Sequence, residues 1–171
     1  MSRSRQALGF VALAIGLSVS ACGFQPLYGT SPTGSNVATE LSAVAIDQQD
    51  TRLGQLIRND LLSTMSGTAA GATRYRLQLM ALDGTKTMIE NDHNDSEDTR
   101  RFNYRVNVAY RLIDRHTGQE LNSGKTFSQV SYDRTTSDFS NVQAESNAME
   151  RAAKEVGNDI RTRLAAYFAA S

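Results

Sequence analysis

The side chains best equipped for chemistry in this sequence are basic ones: Arg76, Lys86, Arg100, Arg101, Arg105 and Arg111. A guanidinium offers a rigid fork of N–H donors that grips a phosphate or carboxylate through two bonds at once, so such residues gathered on one surface suit a phosphorylated or carboxylated amphiphile. The alternative is ordinary solubility, because the wet face of a sheet is usually charged. Between them lie Glu90, Asp92, Asp95, Glu97 and Asp98, in a stretch from Asp83 to Arg100 that is long for a hairpin connection. Asp92, Asn94, Ser96 and Asp98 fall at positions one, three, five and seven of a calcium-loop register. The register then fails: Glu97 stands where glycine is needed and Asn103 where the closing glutamate belongs, which leaves a solvated acidic loop. His93 and His116 sit in polar turns without a partner at metal-ligand spacing. No serine stands in a Gly-x-Ser-x-Gly elbow and no glycine-rich loop could cradle a phosphate, so neither a catalytic constellation nor a metal or cofactor site is expected.

The other reactive group is Cys22, the one cysteine of the chain. Ahead of it come Arg3 and Arg5, an uncharged and largely apolar run from Ala7 to Val19, and small residues, which is the outline of a secretory signal peptide. That apolar core is too short for a hydrocarbon layer that needs about 20 residues, so it does not read as a permanent span. Val19-Ser20-Ala21-Cys22 resembles the lipobox of bacterial lipoproteins, and the resemblance implies cleavage after Ala21 with lipid carried by Cys22. Several acyl chains hold a protein on a membrane far better than one, at roughly 0.8 kcal/mol per buried CH₂. Gly23 rather than Asp after the cysteine resembles the sorting pattern of outer-membrane lipoproteins. Removing residues 1–21 leaves 150 residues and changes the formal charge from zero to −2. No general basic field then recommends nucleic acid as a partner, and the length suits one domain with an aliphatic core.

Elements that can position the basic residues are legible beyond this point. Residues 22–39 hold both prolines and read as a lipidated flexible tether, and residues 40–171 as a single domain. Leu41, Ala43 and Ala45 alternate, suggesting a short strand over Leu41–Ile46. Asp50 or Thr51 can cap a helix whose apolar side is Leu53, Leu56, Ile57, Leu61 and Met65, stopping at Gly67. Tyr75, Leu77, Leu79 and Ala81 alternate with Arg76, Gln78 and Met80, as a strand requires. Tyr104, Val106, Val108, Tyr110 and Leu112 share the parity of Phe102, opposite Arg105 and Arg111. A turn at Asp114–Gly118 leads into a partner strand from Leu121 to Tyr132, making a hairpin. Last, Val142, Met149, Ala153, Val156, Ile160, Leu164 and Phe168 recur at helical steps. The expected fold is α+β: a mainly antiparallel sheet in the order β-α-β-β-β-α, with two helices packed on one face.

With Cys22-Gly23-Phe24-Gln25-Pro26-Leu27-Tyr28-Gly29, a helix and three strands, Tyr132-Asp133, and a terminal helix carrying Arg151-Ala152-Ala153 and Ile160-Arg161-Thr162-Arg163-Leu164, the chain resembles the LptE family in its alphaproteobacterial form. The resemblance covers nearly the whole chain. It implies a non-enzymatic outer-membrane lipoprotein, facing the periplasm, that partners the LptD-type β-barrel in assembling lipopolysaccharide at the cell surface. Lys86, Arg100, Arg101, Arg105 and Arg111 are then the candidate contacts for lipopolysaccharide, on face arithmetic alone. The chain departs from the family at Ser140, Asn141 and Gln143, which leaves the start of the terminal helix open. Two other classes fit parts of the pattern: an auxiliary lipoprotein of an envelope lipid transporter, and a lipid-anchored hydrolase, against which the lack of a catalytic constellation counts.

Overall fold

The computed structural model describes residues 37–65, 73–89 and 100–171. Cys22, the leader, the tether as far as residue 36, His93 and the acidic run from Glu90 to Asp98 lie outside the described residues. Within them the order is α1 (Val37–Ser42), β1 (Val44–Ile46), α2 (Arg52–Met65), β2 (Tyr75–Ile89), β3 (Arg100–Asp114), β4 (Glu120–Arg134) and α3 (Asp138–Ala170). The strands form one sheet in the order β1-β2-β3-β4. The α+β class holds, with two amendments: a helix precedes the first strand, and β1 runs parallel to β2 while β2, β3 and β4 are antiparallel. Parallel pairing follows from the connection, because α2 carries the chain back across the sheet before β2 begins.

The opening segment shows how burial overrides a weak alternation. Val37, assigned to the tether by sequence, and Leu41, assigned to a strand, are four residues apart on α1 and both are buried. The tether therefore ends earlier than residue 39. The Tyr75 hydroxyl donates to Glu40 at 2.8 Å, tying α1 to β2; burial, reinforced by that bond, pushes the phenol up to about 12. The strand that follows buries Val44 and Ile46 rather than the alanines beside them, since the larger branched side chains gain more from leaving water.

Helix α2 starts where expected, with Thr51 Oγ1 accepting from the Gly54 N–H at 3.1 Å, and buries Leu53, Ile57, Leu61 and Met65. β3 is the strand its alternation announces, with Tyr104, Val106, Val108, Tyr110 and Leu112 buried. The turn closes through Asp114, whose Oδ1 accepts the N–H groups of His116 and Thr117, and through Gly118 at φ 71°, a left-handed conformation that suits glycine. Those two N–H donors hold the Asp114 carboxyl below its ordinary value.

β2 runs on to Ile89 and β3 begins at Arg100, so the connection is shorter than the stretch from Asp83 to Arg100 suggested. A bulge between Leu82 and Thr85 hides this continuation, because it shifts the register and exchanges the faces of every later residue. Tyr75, Leu77 and Leu79 face the helices before it, while Lys86 and Met88 share the rows of Tyr104 and Phe102 after it. Gly84 lies beneath the Tyr104 ring, where a Cβ would overlap the aromatic atoms.

α3 begins at Asp138 with Ser137 as its N-cap. Its buried stripe is Asn141, Ala148, Ala152, Ala153, Val156, Gly157, Ile160, Leu164, Ala165 and Phe168. Val142, expected on that stripe, is 71% exposed. Asn141 takes the inward position because its amide meets both backbone groups of Thr135: Oδ1 accepts from the N–H at 2.7 Å and Nδ2 donates to the carbonyl at 2.8 Å. Helices α2 and α3 lie side by side on one face of the sheet. Ile57, Leu61, Leu77, Val106, Leu112, Ile160 and Leu164 are wholly buried there, each contributing about 1.5–3 kcal/mol. Among the described residues no helix is long and apolar enough to cross a membrane.

Candidate functional site

The fold distributes the five basic candidates over two faces. Arg101, Arg105 and Arg111 project from β3 on the open face of the sheet, opposite Asp133, Gln129 and Ser123 of β4. Arg101 Nε donates to Asp133 Oδ1 at 2.9 Å, and this bond raises the affinity of the guanidinium for its proton. Arg111 stands 3.8 Å from Glu120 Oε2. Arg76 of β2, on the same face, is held by Asp47 at 2.8 Å. Arg105 is different: its guanidinium lies over the ring of Phe127, 4.9 Å from the centroid, and no carboxylate is paired with it among the described residues. Lys125, Met80 and Ala109 occupy the adjoining row, and Phe127 is 61% exposed.

Arg101 and Arg105 are too widely spaced to grip neighbouring atoms of one small headgroup without bending toward each other. Two same-face steps along a strand cover roughly 13 Å, and Asn103 between them is engaged by the Ser131 hydroxyl at 2.7 Å. Arg111 lies about 20 Å further toward the turn by the same arithmetic. What the open face gathers is a central apolar spot of Phe127, Met80 and Ala109 with Arg105 and Lys125 beside it, rather than a row of free guanidiniums.

Lys86 and Arg100 belong to the helix side. The bulge in β2 turns Lys86 toward α3, where Nζ meets Glu145 Oε1 at 2.5 Å. Arg100 opens the β3 strand on the same side and pairs directly with Arg134 of β4. With Phe102, Thr135, Thr136, Asp138 and Asn141 these two arginines line a cleft of about 370 Å³ at the start of α3. Phe102 forms its floor, stacked on Tyr132 at 5.8 Å with the Arg134 guanidinium 5.4 Å from its own centroid. Burial raises the Tyr132 phenol above its ordinary value, and its hydroxyl has no hydrogen-bond partner among the described residues. Further along β4, away from the cleft, the Ser128 hydroxyl donates to Glu155 Oε2 at 2.5 Å.

Sequence reasoning missed Arg134, Lys125 and Phe127. Counting outward from the turn at Asp114–Gly118 does not find the first, because a register shift between Leu112 and Ile113 moves the pairing by one residue before Arg134 comes opposite Arg100. Phe127 went unnoticed because an aromatic residue on a strand is normally counted toward the core. No group of three or more metal-binding side chains forms among the described residues.

The architecture, a bulged three-stranded meander with a parallel first strand under two helices, can be set beside known proteins. Residues 39–164 match the model of the LptE family, described as lipopolysaccharide-assembly. The chain belongs to the LptE family. Among solved structures, it is similar to a lipoprotein of Caulobacter crescentus CB15 at 26% identity and a TM-score of 0.66, covering 79% of this chain and 97% of that one. It also matches a minor lipoprotein of Acinetobacter baumannii at 15% identity and TM-score 0.48, over 72% of this chain and 90% of that one. Rare lipoprotein B of Shewanella oneidensis matches at 11% identity and TM-score 0.45, over 72% and 92%. The comparison with curated proteins gives no match. Membership of LptE places the chain among lipopolysaccharide-assembly lipoproteins of the cell envelope.

Proposed function

We propose that this LptE-family chain is an outer-membrane lipoprotein that partners an LptD-type β-barrel in assembling lipopolysaccharide at the cell surface. The observation that carries the reading is the LptE match over residues 39–164; a segment resembling a lipobox and ending at Cys22 precedes the matched stretch in the sequence. Cleavage before Cys22 and acylation of its thiol anchor the chain from the periplasmic side. The 15 residues from Cys22 to Asn36 then allow the domain to stand up to about 50 Å from its lipid. The proposed role is assembly and handling of an amphiphile rather than catalysis, with no resident cofactor. Among the candidate lipopolysaccharide contacts, Arg105 and Arg100 are the ones free of a paired carboxylate among the described residues; Lys86, Arg101 and Arg111 would have to exchange Glu145, Asp133 and Glu120 for a phosphate.

Depletion tests the partnership. Loss of the chain lowers the amount of correctly folded LptD-type barrel and of surface lipopolysaccharide, and an affinity pull-down from detergent-solubilised envelopes recovers the barrel. Normal barrel levels together with recovery of an ATPase complex would favour an accessory of a lipid transporter instead. Cys22→Ala abolishes fatty-acid labelling, and label retained by that variant would remove the anchor from the proposal.

A further inference from the structure

We propose that the chain self-associates as a two-fold dimer through the free edge of β4, which pairs antiparallel with β4 of a second copy. The dimer is independent of the role in lipopolysaccharide assembly and rests on the edge itself. Its first support is the length and regularity of that edge. β4 is the last strand of the sheet, and its ladder to β3 runs from Asn122 to Arg134 with no register shift and no proline. Proteins normally blunt an edge with a short strand, a bulge or a proline. The opposite side of the sheet is blunted in that way, by the three residues of β1 and the bulge in β2. The stretch from Asn122 to Arg134 carries none of the three.

The second support is the direction of the backbone groups. The Ser131 carbonyl accepts from Arg151 Nη2 at 3.1 Å, outside the ladder, so the odd-numbered residues of β4 turn their N–H and C=O away from β3. Apart from that one carbonyl, the outward groups from Lys125 to Asp133 have no hydrogen-bond partner among the described residues. The side chains of the same residues, Lys125, Phe127, Gln129, Ser131 and Asp133, are exposed. The third support is self-complementarity. Within the regular stretch, only the register with Gln129 on the two-fold axis opposes unlike charges. It sets Lys125 against the partner's Asp133, and symmetry repeats the contact. Lys125 has no ion pair of its own among the described residues, and Asp133 keeps Arg101 at its other side. Unlike charges directly opposed stabilise paired strands. Five outward residues on each strand then exchange about ten backbone bonds. On the helix side, Glu150, Arg151 and Lys154 of α3 flank a groove of about 610 Å³ beside Ser131 and Asp133. The groove leaves room for the partner's side chains, and a flank carrying both signs suits its own copy running the other way.

The full chain, purified alone in a neutral detergent, is followed by sedimentation velocity over a wide concentration range and should show a monomer–dimer equilibrium. Lys125→Glu and Asp133→Lys each set like charges against one another twice, and each should weaken the dimer about tenfold. Mixed in equal amounts, the two variants match both contacts again and should associate about tenfold more tightly than either does alone. Misfolding of either variant would not produce that recovery. Gln129→Pro removes an outward N–H and no bond to β3, so it should abolish the dimer. Ser123→Pro, beyond the paired stretch, should leave it intact. A chain that stays monomeric at every concentration overturns the proposal. A dimer that ignores Gln129→Pro and both charge reversals overturns the β4 edge as its interface, whatever the depletion experiment shows about the barrel.

Discussion

The two ends of the sheet are built on opposite terms. At one end α1, β1, α2 and the C-terminal half of α3 close over β2 to β4, and the interior is aliphatic: Ile57, Leu61, Leu77, Leu112, Ile160 and Leu164 have no exposed surface. At the other end, among the described residues, the strands run on with the first turns of α3 beside them. The groups there are Lys86 with Glu145, a Tyr132 hydroxyl without a hydrogen-bond partner among the described residues, the opposed pair Arg100 and Arg134, and the exposed Phe139, Val142 and Met88. The difference teaches a division of labour. Cohesion comes from the end where two layers exclude water, and the end that holds charge and apolar surface in the open is available for recognition.

The sharpest way to break that comparison is to injure each end and measure thermal or denaturant unfolding. Leu61→Ala or Ile160→Ala removes a fully buried side chain and should cost about 2–5 kcal/mol. Phe139→Ser and Val142→Ser should change stability by no more than about 0.5 kcal/mol, as surface substitutions do. Comparable losses at both ends would show that the recognition end also holds the fold together.

A smaller effect is expected at the contact between the helices. A Cβ on Gly157 would come 2.5 Å from Asp60 Oδ2, so Gly157→Ala should force that carboxylate aside, and because alanine favours the helix by about 1 kcal/mol the net change in stability should stay within about 1 kcal/mol. Burial raises the Asp60 carboxyl above 3.8, against the pull of Lys154 and Arg161. A raised acid opposes folding once it ionises, so Asp60→Asn should leave stability at pH 7 equal or higher, and the gain should vanish below about pH 3.8. A loss on Asp60→Asn at pH 7 would mean that its attraction to Lys154 and Arg161 outweighs burial.

The smallest effect belongs to the turn. The Asp114 carboxyl is lowered from 3.8 by the N–H groups of His116 and Thr117. It therefore contributes stability above pH 3.8 that is lost as pH falls through its folded value. Asp114→Asn keeps an acceptor oxygen, and should flatten the acid limb of the stability curve while changing the midpoint little at pH 7. An unchanged acid limb would assign that limb to other carboxylates.

Much of this fold could be read directly. The alternation of β3, the turn at Asp114–Gly118 and the stripe of α2 each state a period over enough residues to be unambiguous. α1 was hidden because six residues with two buried positions specify no period. The site was less legible. The bulge at Leu82/Thr85 reverses the faces beyond it, so Lys86 lies with α3 and not with the arginines of β3.

The α+β class and the β3–β4 hairpin follow from the sequence alone, since each depends on periodicity and turn chemistry within a few residues along the chain. Only the tertiary structure decided which of the basic residues meet. Arg100 stands 34 positions from Arg134 and Lys86 stands 59 from Glu145, and both pairings are set by strand register and helix packing. One displaced residue in β2 alters where a side chain points without altering composition or charge. Whether a guanidinium is matched, as Arg101 is by Asp133, or left facing its like, as Arg100 faces Arg134, is therefore a property of the assembled sheet, because charge pairing acts over a few ångströms in space and not along the chain.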